Sequence, residues 1–243
     1  AQAIAAMAYG TESVRKVDVI VGPGNVYVAQ AKQQVAGAVG VPSAFAGPSE
    51  VVVVADGTSP AEFTATDLVA QTEHGPDGMS WLVTWDEAVA DAVDAALDGV
   101  LKNAPRGTEI AGTLASSGRC VLVDDEQQAL AVVDAISPEH LQLMVDAPEN
   151  LAERVRNAGA VFLGPWTPTS IGDYVAGPSH VLPTAGTARF AGALTVADFT
   201  KDVNLVTADP DALRRLGPHI EALAVAEGLE AHAESIRVRR QHG

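Results

Sequence analysis

The chain has 243 residues, 47% of them apolar and 5% aromatic, with one cysteine and a formal net charge of −16. That length buries one large core or two modest ones, and the Ala, Val and Gly bias is typical of helices packed closely on a valine-rich sheet. The acidic balance argues against nucleic acid and anionic membrane surfaces, one cysteine excludes an internal disulfide and points to a reducing, cytoplasmic setting, and no apolar run is long enough to span a bilayer.

No initiating methionine is present, and residues 1–9 already read as the interior of an Ala-rich helix. The expectation is therefore a chain that lacks an N-terminal portion. Residues 17–21 predict a short strand, Gly22-Pro23-Gly24-Asn25 a turn, and the residues to about 38 a helix. A strand, a glycine-rich turn and a helix can hold a phosphate. Here Tyr27 stands at the third glycine position and Pro23 lacks an N–H, so a structural turn is the better reading. Ala46-Gly47-Pro48-Ser49-Glu50 sets a hydroxyl and a carboxylate directly before a strand at 51–55, where a plain turn outweighs a ligand contact. Ser59-Pro60-Ala61-Glu62 has the pattern of a capping box with proline at the first helical position. The helix it opens closes in Gln71-Thr72-Glu73-His74-Gly75-Pro76-Asp77. Gln71 and His74, three apart, share a helix face. Gly75 and Pro76 stop the helix, which leaves both side chains at a rim rather than in a core. An imidazole is a preferred zinc ligand and a glutamine carbonyl an adequate one. A solvated helix end that happens to carry a histidine explains the same seven residues equally well.

A strand at 81–84 and a helix at 86–101 follow, the helix with Val89, Val93, Leu97, Val100 and Leu101 at apolar positions. Strands at 120–123, 141–145 and 160–163 alternate with helices at about 126–135 and 149–158, and Cys120 reads as a buried strand residue. Continuous apolar strands alternating with helices predict an α/β fold: mostly parallel sheet flanked by helices, incomplete Rossmann-like, with a helical C-terminal tail. In Ser137-Pro138-Glu139-His140-Leu141, Pro138 disfavours helix at Ser137, so Glu139 and His140 lie on a loop entering a strand. A carboxylate beside an imidazole offers two proton-transfer groups. An exposed Glu next to a half-buried His is the competing reading. Residues 167–187 break into a loop rich in Gly, Pro, Ser and Thr that carries Asp173 and His180. The tail at 209–239 is expected to be helical, broken at Gly217-Pro218, and holds Glu227 and His232. A distant Asp and His are what Gln71 and His74 need to reach four protein ligands, although surface decoration accounts for them as simply. Trp81, Trp85 and Trp166 read as packing, His219 and His242 as surface, and residues 237–240 as a solvated tail or an interface strand.

Six segments, taken together and in order, resemble histidinol dehydrogenase: Val21-Gly-Pro-Gly-Asn-Val-Tyr-Val28, Ala46-Gly-Pro-Ser-Glu50, Gln71-Thr-Glu-His-Gly-Pro-Asp77, Ser137-Pro-Glu-His-Leu141, Gly172-Asp-Tyr-Val-Ala-Gly-Pro-Ser-His-Val-Leu-Pro-Thr184 and Glu227-Gly-Leu-Glu-Ala-His232. Any one is weak; six in the right order are specific. The resemblance covers the whole chain and implies the C-terminal part of a longer enzyme. Such enzymes oxidise L-histidinol to L-histidine through histidinaldehyde, the last steps of histidine biosynthesis, with NAD and zinc. By that resemblance Gln71, His74, Asp173 and His232 match the zinc ligands, the last reaching the metal from the partner subunit of an intertwined homodimer. Glu139 and His140 match the acid/base pair. Ser49, His180 and Glu227 match substrate contacts in a pocket that His140 and the zinc ligands also line, and Asn25 matches an NAD contact. Residues 1–48 would end a first Rossmann-like domain, 49–197 would form a second with most of the site, and 198–243 a helical tail in the dimer interface. Thr72 and Gly78-Met79 depart from the family pattern without touching a ligand position. Two alternatives stay open: a zinc hydrolase on the same ligands with Glu139 activating water, and an inactive fragment acting only as a dimerisation module.

Overall fold

The computed structural model describes residues 1–42, 47–75 and 77–242, so Ala46, Pro76 and the side chain of His242 lie outside the description. The chain divides into two compact units, Ala1–Phe199 and Thr200–Gly243.

The first unit begins with helices α1 (Gln2–Tyr9) and α2 (Val26–Val35), which share a small core of Ile4, Ala8, Ile20, Val35 and Val39. The Asn25 side chain caps α2 by accepting from the Val28 N–H, and the helix stops short of residue 38 because Gly37 turns to φ 98°. The strand expected at 17–21 shrinks to one bridge between Val19 and Gly40. An apolar run becomes a strand only where a neighbour completes its ladder.

The centre is a five-stranded parallel sheet built from β1 (Glu50–Ala55), α3 (Ala61–Thr72), β2 (Met79–Thr84), α4 (Glu87–Asn103), α5 (Gly107–Ser117), β3 (Arg119–Leu122), α6 (Glu126–Ile136), β4 (His140–Met144), α7 (Pro148–Ala152) and β5 (Ala160–Leu163), in the order β3-β2-β1-β4-β5. Central β1 is buried throughout, which is why it reads as four consecutive valines. Val52 and Val54 pack with Leu141 and Leu143 beneath α6 and α7, whereas Val51 and Val53 pack with Leu82 and Met144 beneath α3 and α4. Each such valine contributes about 1.5–3 kcal/mol of burial.

Several local expectations fail for physical reasons. α3 starts at Ala61 with extended Pro60 as its N-cap residue, and the buried Ser59 hydroxyl has no partner, so the capping box does not form. Cys120 is exposed, because β3 is the sheet edge. Helix α5 was not anticipated, and α7 is shorter than the expected 149–158. The loop at 167–187 holds a short helix, α8 (Thr169–Tyr174), and opens a 3-10 turn at Thr187–Arg189. Trp81 and Trp85 do pack on the core, while Trp166 is exposed and meets Phe63 edge-on.

The second unit is a helical hairpin, α9 (Pro210–Ala226) and α10 (Glu230–His242). α9 runs through Gly217-Pro218 without a break; the turn falls at Gly228, φ 73°. Gly217 lacks the Cβ that would collide with the Arg240 side chain, so the two helices approach closely there. Arg237 pairs with Glu221, Glu230 and Glu234, which makes residues 237–240 helical surface rather than an interface strand. His219 is exposed.

Gly159 precedes β5 with its N–H on the Pro138 carbonyl, and a Cβ there would lie 2.6 Å from the Glu139 carbonyl oxygen. Gly159→Ala should therefore lower the urea midpoint of unfolding by the equivalent of about 1–3 kcal/mol.

Candidate functional site

β1 and β4 are adjacent, with Val51 opposite His140. This pairing sets Ser49 and Glu50 beside Glu139 and His140, residues 90 apart in the chain. The Ser49 hydroxyl donates to Glu139 Oε2 at 2.6 Å and the Glu50 N–H to the same oxygen at 3.2 Å. His140 Nδ1 lies 3.2 Å from the Glu50 carbonyl oxygen. A carbonyl only accepts, so Nδ1 carries the proton and Nε2 keeps its lone pair. That Nε2 stands 3.9 Å from Asp173 Oδ1, and Nδ1 stands 3.7 Å from Glu139 Oε2.

Asp173 comes from α8, whose Gly172 allows the helix to settle on Phe162 of β5; a Cβ there would lie 2.7 Å from the ring. Together Ser49, His74, Glu139, His140, Asp173 and His180 line a cavity of about 270 Å³, with Gly22-Pro23-Gly24 and Thr184 on its walls. An adjoining cavity of about 290 Å³ shares His74 and Asp173 and adds Gln71. Gln71 is itself buried rather than at a rim, and His74 lies just beyond α3 and is exposed. Asn25 is exposed, uses its oxygen as a helix cap and lines neither cavity. Glu227 and His232 belong to the second unit, both exposed, Glu227 at the end of α9 and His232 on α10.

The loops around the cavity are tied down. Gly47 N–H donates to Thr184 Oγ1, and Ala185 N–H to Glu50 Oε1, each at 2.6 Å. Arg189 reaches Ser137 Oγ and the Ala135 carbonyl, next to the left-handed turn at Ser137 that precedes Pro138. All of this chemistry stands at the amino ends of the strands. In doubly wound sheets ligands usually bind beyond the carboxyl ends. Here Asp56 fills that position, accepting from Thr58 N–H and from Asp146 N–H after β4.

Burial governs the protonation states. It pushes Glu139 above the usual carboxylate range, opposed by the Ser49 and Glu50 hydrogen bonds, and pulls His140 below the usual imidazole range, opposed by Asp173. Glu50, which sequence reasoning passed over as a turn residue, is pushed up to about 7 by burial, with the charge of Glu139 adding to it. Its one sequence signal is a carboxylate placed flush against a fully apolar strand. His140 is therefore a neutral base near pH 7.

The donors Gln71, His74 and Asp173 are an amide oxygen, an imidazole and a carboxylate around one cavity, a set that suits a borderline cation such as zinc. The set holds only one imidazole and one carboxylate, and among the described residues no three His, Cys, Asp or Glu side chains converge as a metal cluster.

A parallel α/β sheet thus brings a buried carboxylate–imidazole pair to face a nitrogen/oxygen donor set across small polar cavities. The family can be stated: residues 1–240 match the histidinol dehydrogenase model, and the chain belongs to that family. It is 50% identical over 239 residues to histidinol dehydrogenase of Chlorobium chlorochromatii, covering 98% of this chain and 56% of that protein. To that of Methylococcus capsulatus it is 49% identical over 242 residues, covering 100% and 55%. The crystal structure of histidinol dehydrogenase from Elizabethkingia anophelis superposes with a TM-score of 0.92 at 37% identity, over 99% of this chain and 55% of that one. The chain thus spans about half the length of the relatives it matches. Among the described residues no helix is long and apolar enough to cross a membrane.

The Glu50 shift fixes a pH dependence. A carboxyl group that binds its proton more tightly folded than unfolded makes stability fall as pH rises from its unfolded value, near 4.5, to about 7. Urea unfolding should show lower stability at pH 7.5 than at pH 5, with Glu50 contributing a slope of up to about 1.4 kcal/mol per pH unit. Glu50→Gln, which keeps an acceptor for Ala185, should flatten it.

Proposed function

We propose that this chain carries the reaction centre of a zinc- and NAD-dependent histidinol dehydrogenase, which oxidises L-histidinol to L-histidine through histidinaldehyde. The observation that carries the reading is the free Nε2 of buried His140, with Glu139 alongside, facing a cavity walled by His74 and Asp173.

His140 Nε2 takes the hydroxyl proton as the carbon gives up hydride. Its Nδ1–H, held on the Glu50 carbonyl, keeps the imidazole in the accepting tautomer. NAD, when bound, would supply the hydride acceptor, one equivalent for each of the two oxidations. For the second oxidation water must add to the aldehyde, and Glu139, steadied by Ser49, removes its proton. Gln71, His74 and Asp173 would hold zinc together with His232, supplied from the second unit of a partner subunit in a homodimer. Zinc held there would supply a template for the imidazole and amine nitrogens of the substrate. Ser49, His180 and Glu227 would complete the substrate pocket and Asn25 an NAD contact. The net charge of −16 favours a substrate with a cationic amine. On this reading the protein works in amino-acid biosynthesis in the cytoplasm and uses neither nucleic acid nor a membrane.

His140→Asn should lower histidinol turnover, followed as NADH absorbance, by about 10²–10⁴-fold, with zinc content unchanged. Zinc loss in that variant would overturn the assignment of roles. Asp173→Ala and His232→Ala should each release zinc, measured by elemental analysis after gel filtration. Full retention in both would refute the ligand set.

A further inference from the structure

Beneath the cavity lies a polar layer that the proposed chemistry does not use. Gln142 is completely buried in β4, two residues beyond His140, and therefore on the same sheet face. That face packs under α3, as shown by Met144 and Val53 against Ala65 and Leu68. Asp67 and Gln71 are four apart on α3, one turn from each other on one side of the helix. As the crossover between parallel strands β1 and β2, α3 runs antiparallel to the sheet. Moving from Asp67 to Gln71 therefore leads toward the same end of the sheet as moving from Gln142 to His140.

The hydrogen bonds have a direction. Gln142 Nε2 donates to the Thr167 carbonyl at 3.5 Å, and the Gln142 side chain lies close enough to Asp67 to favour its carboxylate form. A carbonyl only accepts, so the Gln142 amide nitrogen is turned toward Thr167 and its oxygen away. That oxygen is buried with no hydrogen-bond partner. One turn up, the Gln71 amide nitrogen is also buried with no partner. An unpaired buried acceptor and an unpaired buried donor are each destabilising, and the two are complementary. Each belongs to a residue one short step from Asp67.

We propose that Asp67 and Gln142 are positioning residues that set the orientation of the Gln71 amide: the Gln71 N–H closes on Gln142 Oε1, directly or through one water, and the Gln71 oxygen is thereby turned to the cavity it shares with His74 and Asp173. Polarity runs one way along this chain. The Asp67 carboxylate accepts from the Gln142 amide, the Gln142 carbonyl accepts from the Gln71 amide, and the Gln71 carbonyl is left for a cation. Without Gln142 the Gln71 amide can turn either face to the cavity, and only one of them is a ligand. The low dielectric strengthens each link, and a completed chain relieves both unpaired atoms at once.

The inference rests on the reading of Gln71 as a zinc ligand, and the test separates the two. Zn²⁺ affinity of the full chain is measured by chelator competition at neutral pH for the wild type, Gln71→Ala, Gln142→Met and the double variant, with the urea midpoint of each metal-free form. Gln142→Met should weaken zinc binding by about 10–100-fold. The double variant should bind no more weakly than Gln71→Ala alone, because Gln142 acts only through Gln71. If Gln71→Ala leaves affinity unchanged, the ligand assignment itself fails and the positioning role fails with it. If Gln71→Ala weakens binding but Gln142→Met does not, the positioning role alone is overturned. Additive losses, or a lower urea midpoint at unchanged affinity, would make Gln142 a packing residue and overturn it as well.

Discussion

The site depends on one structural event, the parallel pairing of β1 with β4. It puts Val51 opposite His140 and so sets the Glu50 carbonyl against the imidazole and the Glu50 N–H against Glu139. Two backbone groups of a single residue thereby determine the tautomer of the base and anchor the carboxylate beside it. A slip of one residue would turn His140 and Gln142 away from α3 and toward α6. The valines prevent this, because Val51 and Val53 fill one core while Val52 and Val54 fill the other. The same apolar pattern that builds the sheet therefore aims the polar groups at its edge.

The location of the chemistry follows from what occupies each end of the sheet. At the carboxyl ends Asp56 satisfies the N–H groups of Thr58 and Asp146 and joins the exits of β1 and β4. At the amino ends the chain enters the strands through loops, and loops carry N–H and C=O groups with no ladder to satisfy them. Those groups are satisfied between loops: Gly47 on Thr184, Ala185 on Glu50, Gly159 on Pro138. The rim of the cavity is thus rigid although little of it is helix or strand, and rigidity is what a proton-transfer geometry needs.

How far this was legible in the sequence depends on how local each signal is. The strand at 160–163 and the buried run after Glu50 could be read because an apolar stretch between turn signals has one good home in a parallel sheet. The stretch at 17–21 looks alike but finds only a bridge, because strandness is a property of pairs. α5 escaped notice because Gly, Thr and Ser dilute its helical pattern; Gly107 at its start and Gly118 just past its end instead serve close approaches to Leu101 and Leu114. Glu139 and His140 could be placed at a strand entrance from Pro138 alone. Glu50 and Gln142 could not be assigned a purpose, since a polar residue in an apolar strand acquires one only from the element that covers it. Bringing Gln71, His74 and Asp173 to one cavity needed the six ordered motifs rather than any spacing, and Glu227 and His232 still enter the site through that resemblance.

Desolvation acts on Glu139 and His140 in opposite directions on the pKa scale but toward one end, because it penalises the charged form of each. An acid drawn upward and a base drawn downward both move toward their neutral forms, which narrows the gap a proton must cross between them. A cation arriving in the cavity breaks that symmetry. On the proposed reading it would favour the Glu139 anion and further disfavour the His140 cation, leaving the carboxylate to activate water and the imidazole unprotonated. On that reading the charge of the bound cation would itself prepare both groups for their separate steps.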